Sequence, residues 1–262
     1  MHAHPDDEAI ATGGTMALLA AGGHEVILIT ATDGAVGEVE AGFLADGETL
    51  AEVRHRETHA AADLLGVAQV VMLGYGDSGM MGTDTNEDPG CFWQADVEAA
   101  AAALAARLTA FGVEVLTVYD EIGGYGHPDH IQVHRVGHRA AEMAGIAKVY
   151  ESTINRDRVE DLRAAAAAQQ AADGDPDVEM PEFDDDTPEL GTPDEHITAA
   201  VDVSSVMHLK RAAMLAHASQ ITEDSWFFSM PESVFEHAFG TEWYVQKTPP
   251  VHPGTPRADS LL

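Results

Sequence analysis

The sequence predicts an α/β fold, with a Rossmann-like, mainly parallel sheet, helices on both of its faces and a C-terminal extension of helix and strand. Up to residue 153, short β-branched runs alternate with longer Ala- and Leu-rich stretches, which is the pattern of repeated β-α units. The run at 24–30 is apolar at most positions, as expected of a strand covered on both faces. Gly22, Gly23 and Gly66 stand where helices should stop. Right-handed crossovers would place all strand C-termini at one edge, where such sheets bind ligands.

The elements of this core are predicted in chain order. Strands are expected at 24–30, 69–74, 114–119 and 147–150, and helices near 12–21, 50–65, 95–110 and 130–144. The first polar motif should also follow a strand, yet only three residues precede it. We expect the recorded start to be late and an upstream strand to be lost, because a missing central strand would expose the flanks of its neighbours.

Residues 1–153 are predicted to form the α/β core that carries the functional site, and three further segments follow them. Residues 154–196 contain five consecutive alanines and then acidic, Pro-containing stretches, which predict a helix that frays into a mobile acidic loop. Residues 197–247 resume with a strand near 197–203, a helix from Ser204 through Gln220 and aromatic residues, and are expected to pack on the core. The Pro-rich residues 248–262 are predicted to be a disordered tail.

The charge balance bears on partners and surroundings. The chain has 45 acidic and 13 basic residues, a net charge of -32, which repels nucleic acid and anionic membranes and excludes both as partners. The acids are spread along the chain without EF-hand spacing, which favours a solvated acidic shell, typical of proteins that work at high salt, over cation-binding clusters. The sequence contains neither an apolar run that could span a bilayer nor a signal peptide. Cys91 is the only cysteine, which excludes an internal disulfide and suits a reducing, cytoplasmic interior.

Two loops with a His-Pro-Asp core lie far apart in the chain, the first beginning at His4 and the second at His127. A zinc site needs a few nitrogen or oxygen ligands, often a close pair and a distant third, with one position open for water. His4, Asp7 and His130 meet that need. A single His-Pro-Asp is more often an ordinary turn, but two such loops near strand ends favour one metal site. The predicted ion is Zn²⁺, with Fe²⁺ as the alternative.

The neighbours of these ligands are candidate catalytic groups. Asp6 can act as general base towards a bound water, although an aspartate there can also cap the following helix. His127 can protonate a leaving amine or polarise a carbonyl, and Asp129 can orient an imidazole. Tyr125 lies in a glycine-rich loop and can donate to an oxyanion, with a purely structural role as the rival.

Two other patterns are weaker. His134 and His138 follow His130 at helical spacing and could bind a metal with it. This is disfavoured because Asp7 would then have no role and because no glutamate follows in a His-Glu-x-x-His arrangement. They are predicted to be ordinary helix residues. The absence of G-x-G-x-x-G excludes a nucleotide cofactor of the usual kind.

At these motifs the chain resembles a known family. Ala3-His4-Pro5-Asp6-Asp7-Glu8 and His127-Pro128-Asp129-His130 resemble the paired signatures of PIG-L/LmbE-type deacetylases, zinc enzymes that remove acetyl groups from N-acetylglucosamine units. The chain further resembles the branch of this family that serves mycothiol metabolism. The matching segments are Asp77-Ser78-Gly79-Met80, Tyr119-Asp120 and Gly123-Gly124-Tyr125-Gly126. The resemblance covers residues 3 to about 153 and resumes weakly at 210–211 and 216–220.

The resemblance implies a role for each matched position. The zinc ligands fall on His4, Asp7 and His130, the general base on Asp6, the catalytic histidine on His127 and the assisting tyrosine on Tyr125. The residues that contact the sugar fall on Arg54 and Asp77, although Arg54 could equally pair with Glu57 on its own helix.

The predicted function is therefore zinc-dependent removal of the N-acetyl group from a small amino-sugar conjugate that contains N-acetylglucosamine. One alternative is an amidase that cleaves a larger acyl group, such as a cysteinyl conjugate of a glucosaminyl thiol. Another is a non-catalytic module that binds metal or sugar. The presence of Asp6 and His127 disfavours the module, since binding alone needs neither proton-transfer group.

Overall fold

A computed structural model describes residues 1–161, 190–222, 224–252 and 254–262. The predicted Ala-rich helix and acidic loop fall mainly on residues 162–189, outside the described residues. Within the described ranges, no helix has both the length and the apolar character needed to cross a membrane.

The strands form a two-stranded parallel sheet and a four-stranded mixed sheet, which residues 1–3 join. Their bounds are Ile27–Thr32 (β1), Gln69–Tyr75 (β2), Val115–Tyr119 (β3), Lys148–Thr153 (β4), Ala199–Asp202 (β5) and Thr241–Thr248 (β6). β1 pairs with β2 and β3 with β4, both in parallel, whereas β6 runs antiparallel between β4 and β5. The predicted fold class is confirmed.

Residues 1–3 lie between the two parallel pairs. The N-terminal nitrogen of Met1 donates to the Thr117 carbonyl of β3 at 2.8 Å. On the other side, the His2 amide donates to the Ile29 carbonyl of β1, also at 2.8 Å. These three residues therefore take the central position between β1 and β3, and they deliver the chain directly to His4.

The helices lie on both faces of this sheet. They are Asp7–Ala11 (α1), Gly13–Ala21 (α2), Leu50–Leu65 (α3), Val97–Phe111 (α4), Gly123–Gly126 (α5), Pro128–Ala144 (α6), Met207–Ala216 (α7), Trp226–Ser229 (α8) and Glu232–Phe239 (α9). Short 3-10 turns occupy Asp84–Glu87, Phe92–Gln94, Asp194–His196 and Ser204–Val206.

Helix ends follow local chemistry. Thr49 and Glu52 form a capping box at the start of α3, which ends at Gly66 with a φ of 73°. α6 begins two residues earlier than predicted, because Pro128 suits the first helical position and His127 caps the helix. The C-terminal helix predicted over 204–220 is shorter, since a 3-10 turn precedes α7.

Two hydrophobic clusters hold the layers together. One joins α4 and α6 to the central strands, with Leu104, Val118, Val133 and Val136 among its members. The other joins α1, α2 and α3 to the C-terminal segment, with Leu65, Val203, Met214, Phe235 and Tyr244 among its members.

Glu242 in β6 ties the two ends of the chain together. Its carboxylate accepts the amides of Gly14 and Thr15 at 2.8 Å each, at the start of α2, where a negative charge is favoured. Lys210 of α7 donates to the same carboxylate at 2.6 Å in a buried ion pair.

The end of the segment 248–262, predicted as a disordered tail, contacts the edge of β5 in the structure. Ala258 donates to the Thr198 carbonyl at 2.9 Å and accepts the Ala200 amide at 2.9 Å, which adds a bridge to the edge of β5. Leu261 is only 2 % exposed because it packs into the second cluster.

Candidate active site

The two His-Pro-Asp loops meet at the edge of the sheet. The first loop runs from residue 3 into α1, and the His4 amide donates to Asp7 Oδ2 at 2.8 Å, which fixes the carboxylate. The second loop leads into α6, so that His130 stands in the first turn of that helix. His4 and His130 are buried, at 7 % and 3 % exposed.

His4, Asp7 and His130 present three ligand atoms at equal spacing. The His4 Nδ1–Asp7 Oδ2, His130 Nε2–Asp7 Oδ2 and His130 Nε2–His4 Nδ1 distances are each 3.3 Å. A tetrahedral ion with bonds of about 2.0–2.1 Å separates its ligand atoms by about 3.3–3.4 Å. The donor set and its spacing therefore fit a divalent transition ion with a fourth position open.

The other nitrogen of His4 faces two carboxylates. His4 Nε2 lies 3.2 Å from Asp129 Oδ2 and 3.5 Å from Asp77 Oδ1. Burial opposes the charged imidazole, but hydrogen bonds to Asp129, Asp7 and Asp77 raise the pKa of His4 well above its usual value. Asp129 is itself held by the Ser78 amide at 2.9 Å. A carboxylate on the far nitrogen of a ligand imidazole orients the ring, the arrangement expected of Asp129.

Asp6 sits in a strained turn beside the ligands. Its φ is 99°, which is uncommon for a residue other than glycine. Its amide donates to Glu8 Oε2 at 3.1 Å, and its carboxylate accepts from the Arg54 guanidinium at 3.1 Å. Burial raises the pKa of Asp6 to about 6, although the positive charge of Arg54 opposes the rise. Such a carboxyl group titrates close to the range in which a general base works.

Arg54 and Asp77, matched to sugar-contacting positions, are both engaged with the protein. Arg54 is 3 % exposed and donates to the carbonyls of Pro5 and Gly34 as well as to Asp6. Asp77 is 9 % exposed and accepts from the Gly79 amide at 2.9 Å. Their visible contacts hold the loops around His4.

His127 and Tyr125 flank the ligand triangle. The His127 ring lies 4.5 Å from the ring of His4, and its Nδ1 accepts the Asp129 amide at 3.2 Å. Burial and the nearby His4 and His130 lower the pKa of His127 to about 4. The Tyr125 hydroxyl lies 3.4 Å from His130 Nε2. Although the residue is 38 % exposed, removal of the hydroxyl from water and the nearby carboxylates of Asp7 and Asp6 raise its pKa above the usual range, so it stays protonated.

His4 and His130 can also group with His127, since each offers a ligand atom within 4.8 Å of the others. We place Asp7 in the ligand set because its oxygen completes the equal 3.3 Å spacing. The Nδ1 of His127 is already occupied by the Asp129 amide.

Several supporting residues were missed by the sequence analysis. Glu8 and His217 form a fully buried 2.6 Å pair behind the Asp6 turn. Tyr119 stacks on His130, with ring centroids 4.3 Å apart and planes 10° from parallel. Glu8, Tyr119 and His217 all lie in segments that resemble the family, and that resemblance is the only feature of the sequence that could have pointed to them. Their contacts with one another and with the site depend on the fold.

Comparisons with known proteins agree with this geometry. A model of the family described as "PIG-L: GlcNAc-PI de-N-acetylase" matches residues 1–141. A protein of Acidothermus cellulolyticus named 1D-myo-inositol 2-acetamido-2-deoxy-alpha-D-glucopyranoside deacetylase is 42% identical over 260 residues, covering 94% of this chain and 86% of its own. A protein of Salinispora arenicola with the same name is 41% identical, covering 93% and 82%.

Similar solved structures support the fold alone. The N,N'-diacetylchitobiose deacetylase of Pyrococcus horikoshii has a TM-score of 0.59 at 22% identity, over 97% of this chain and 85% of its own. The 4-carboxy-2-hydroxymuconate hydratase of Pseudomonas putida KT2440 has a TM-score of 0.58 at 17% identity, over 96% of this chain and 95% of its own. One fold thus carries both a deacetylase and a hydratase, so the reaction must be argued from the site.

Proposed function

The chain belongs to the PIG-L family, and from that premise we propose that it is a metal-dependent hydrolase that removes the N-acetyl group from a small conjugate of N-acetylglucosamine. The observation that carries the proposal is the triangle of His4, Asp7 and His130, with Asp6 beside it. The names of the relatives make a glucosaminyl-inositol the first substrate to test.

His4 Nδ1, Asp7 Oδ2 and His130 Nε2 would hold the ion, for which zinc is the first choice and ferrous iron the second. When bound, such an ion lowers the pKa of a water molecule and polarises a carbonyl oxygen. Asp129 would keep the Nδ1 of His4 turned towards the ion, because it holds the opposite nitrogen.

Asp6 is proposed as the base that removes a proton from the attacking water. Its pKa of about 6 leaves it ionised near neutrality yet basic enough to accept that proton. The oxygen of the water then forms a bond to the acetyl carbon.

Tyr125 and His127 are proposed to hold the carbonyl oxygen as it gains charge. Tyr125 keeps its proton, and the Nδ1 contact of His127 leaves an Nε2–H as donor on a neutral ring. A neutral imidazole is a poor acid, so the proton taken up by Asp6 goes to the nitrogen as the C–N bond breaks. The products are acetate and a free amine.

The test is release of primary amine by metal-stripped protein to which Zn²⁺ or Fe²⁺ is returned. Substrates would be an N-acetylglucosaminyl-inositol, a simpler N-acetylglucosaminide and an N-cysteinyl glucosaminyl conjugate. We expect metal-dependent amine release from the acetylated sugars. Faster release from the cysteinyl conjugate would indicate the amidase instead, and sugar binding without hydrolysis by any loaded form would indicate a binding module.

A further inference from the structure

A second group of ligand-type side chains lies farther along α6 than His130. His134 and His138, one turn apart on α6, both face the carboxylate of Glu151 on β4. His138 Nε2 lies 3.0 Å and His134 Nδ1 3.3 Å from the same oxygen, Glu151 Oε1. One ligand atom from each of the three residues lies within 4.8 Å of the others.

We propose that His134, His138 and Glu151 form a second site for a divalent transition ion of the Zn²⁺ class. Such ions are bound in proteins by donor sets of this kind, in which two imidazoles lie at i and i+4 on one helix and a carboxylate comes from another element. From the sequence both histidines are predicted to be ordinary helix residues, because the chain has no His-Glu-x-x-His arrangement at these positions. The carboxylate instead comes from the neighbouring strand.

The burial of the group suits an ion that enters from solvent. The Glu151 side chain is 4 % exposed, whereas those of His134 and His138 are 23 % and 26 % exposed. A carboxylate in that position needs positive partners, since burial alone disfavours its charge. Burial would raise the pKa of Glu151, but hydrogen bonds from His134, His138 and Lys247 outweigh it and lower the pKa to about 2. The group therefore offers an ionised oxygen at any ordinary pH.

Two existing contacts would have to give way to the ion. His134 Nδ1 lies 3.0 Å from the Tyr119 carbonyl oxygen and shares its proton between that oxygen and Glu151. The ion would replace this proton, leaving His134 protonated on the other nitrogen. Lys247 Nζ lies 3.0 Å from Glu151 Oε2, and its side chain is 46 % exposed. Lys247 is thus a competing cation that can move into solvent.

The two sites can be counted separately with tag-free protein stripped by a chelator and titrated with Zn²⁺ by calorimetry. Co²⁺ would serve as a spectroscopic probe of nitrogen and oxygen ligation. We expect two ions per wild-type chain, one in His138→Ala and one in His130→Ala. If the proposed catalytic centre is wrong, His130→Ala binds as wild type while His138→Ala still loses an ion. The second site is overturned if His138→Ala binds as many ions as wild type.

His55 and His59 supply a matched control. They are exposed, stand at the same spacing on α3 and have ring centroids 4.7 Å apart. Among the residues that the structure describes, no carboxylate or thiol joins them in a ligand group. His59→Ala should leave the number of bound ions unchanged. If it lost as many ions as His138→Ala does, the binding would be adventitious binding to histidine pairs.

Lys247→Met separates a metal site from a merely structural cluster. Removing the competing ammonium should tighten binding of the second ion by about threefold or more, since the freed carboxylate keeps its charge. If Glu151 serves only to hold Lys247 and the two histidines in place, this variant gains no affinity, and the proposal is overturned.

Discussion

Glu8 and His217 stand 209 positions apart in the chain and share a hydrogen bond of 2.6 Å, with neither side chain exposed to solvent. The second oxygen of the same carboxylate accepts the Asp6 amide at 3.1 Å. The pair therefore braces, from behind, the strained turn that carries the proposed base.

Replacing His217 should weaken the whole fold. His217→Ala leaves the buried Glu8 carboxylate without its donor, and breaking a buried ion pair in this way costs about 3–5 kcal/mol. Urea unfolding would measure the loss. His208→Ala, an exposed histidine on α7, is the control and should stay close to wild type. Equal losses in the two variants would remove the bracing role.

Asp6→Asn should keep the metal and lose turnover. The amide can still accept from Arg54, but it cannot take a proton from water, so kcat should fall by about 10²–10⁴. Metal content and kcat measured on one preparation would test this. Asp46→Asn, in an exposed loop, is the control. Wild-type turnover in Asp6→Asn would sink the base assignment.

Arg54→Lys distinguishes support of the Asp6 turn from contact with the sugar. A lysine cannot reach the carbonyls of Pro5 and Gly34 and the carboxylate of Asp6 together, as the guanidinium does. We expect kcat to fall by about tenfold or more with KM nearly unchanged, because the misplaced base affects the chemical step. A raised KM with unchanged kcat would instead favour the sugar contact.

Stability should fall in acid because of Glu151. Its pKa is about 2 in the fold against 4.5 for a free glutamate side chain, so the stabilisation is complete above pH 4.5 and is lost as pH falls towards 2. The difference corresponds to about 3 kcal/mol. Urea unfolding from pH 7 to pH 2.5 with chelator present should show a flatter acid limb in Glu151→Gln. Glu87→Gln, at an exposed position, should keep the wild-type slope.

Gly137→Ala should disturb the helix that carries His127 and His130. A Cβ at this position would lie 2.4 Å from Val118 Cγ1 of β3, so α6 would have to shift. Overpacking of this kind costs about 1–3 kcal/mol and outweighs the better helix propensity of alanine. Thermal unfolding should show the loss, and adding Val118→Ala should recover part of it. Absence of any recovery would place the cause elsewhere.

The sequence predicted the parallel core well because its strands are short apolar runs between glycine-terminated helices. It did not identify β6 as a strand, although 197–247 was expected to pack on the core. In Thr241–Thr248 the buried positions include Glu242 as well as Tyr244, so the alternation of apolar and polar residues is obscured. A carboxylate faces inward there because it meets the start of α2 and Lys210.

The candidate site was predictable where its residues are neighbours in a motif. His4 and Asp7 come from one loop, and the second His-Pro-Asp loop pointed to His130. The surroundings were not predictable, because the partners of Arg54, Glu8 and Glu151 come from other elements and depend on how helices pack against strands.

The carboxylate of Glu242 joins the amides of Gly14 and Thr15 across more than two hundred residues, and His217 reaches back almost as far. A nascent chain therefore exposes the loop at residues 4–7 long before the groups that brace it have been synthesised. The Glu8–His217 pair can form only after residue 217 has been synthesised, so an ion or a substrate analogue present during translation meets a loop that is not yet braced.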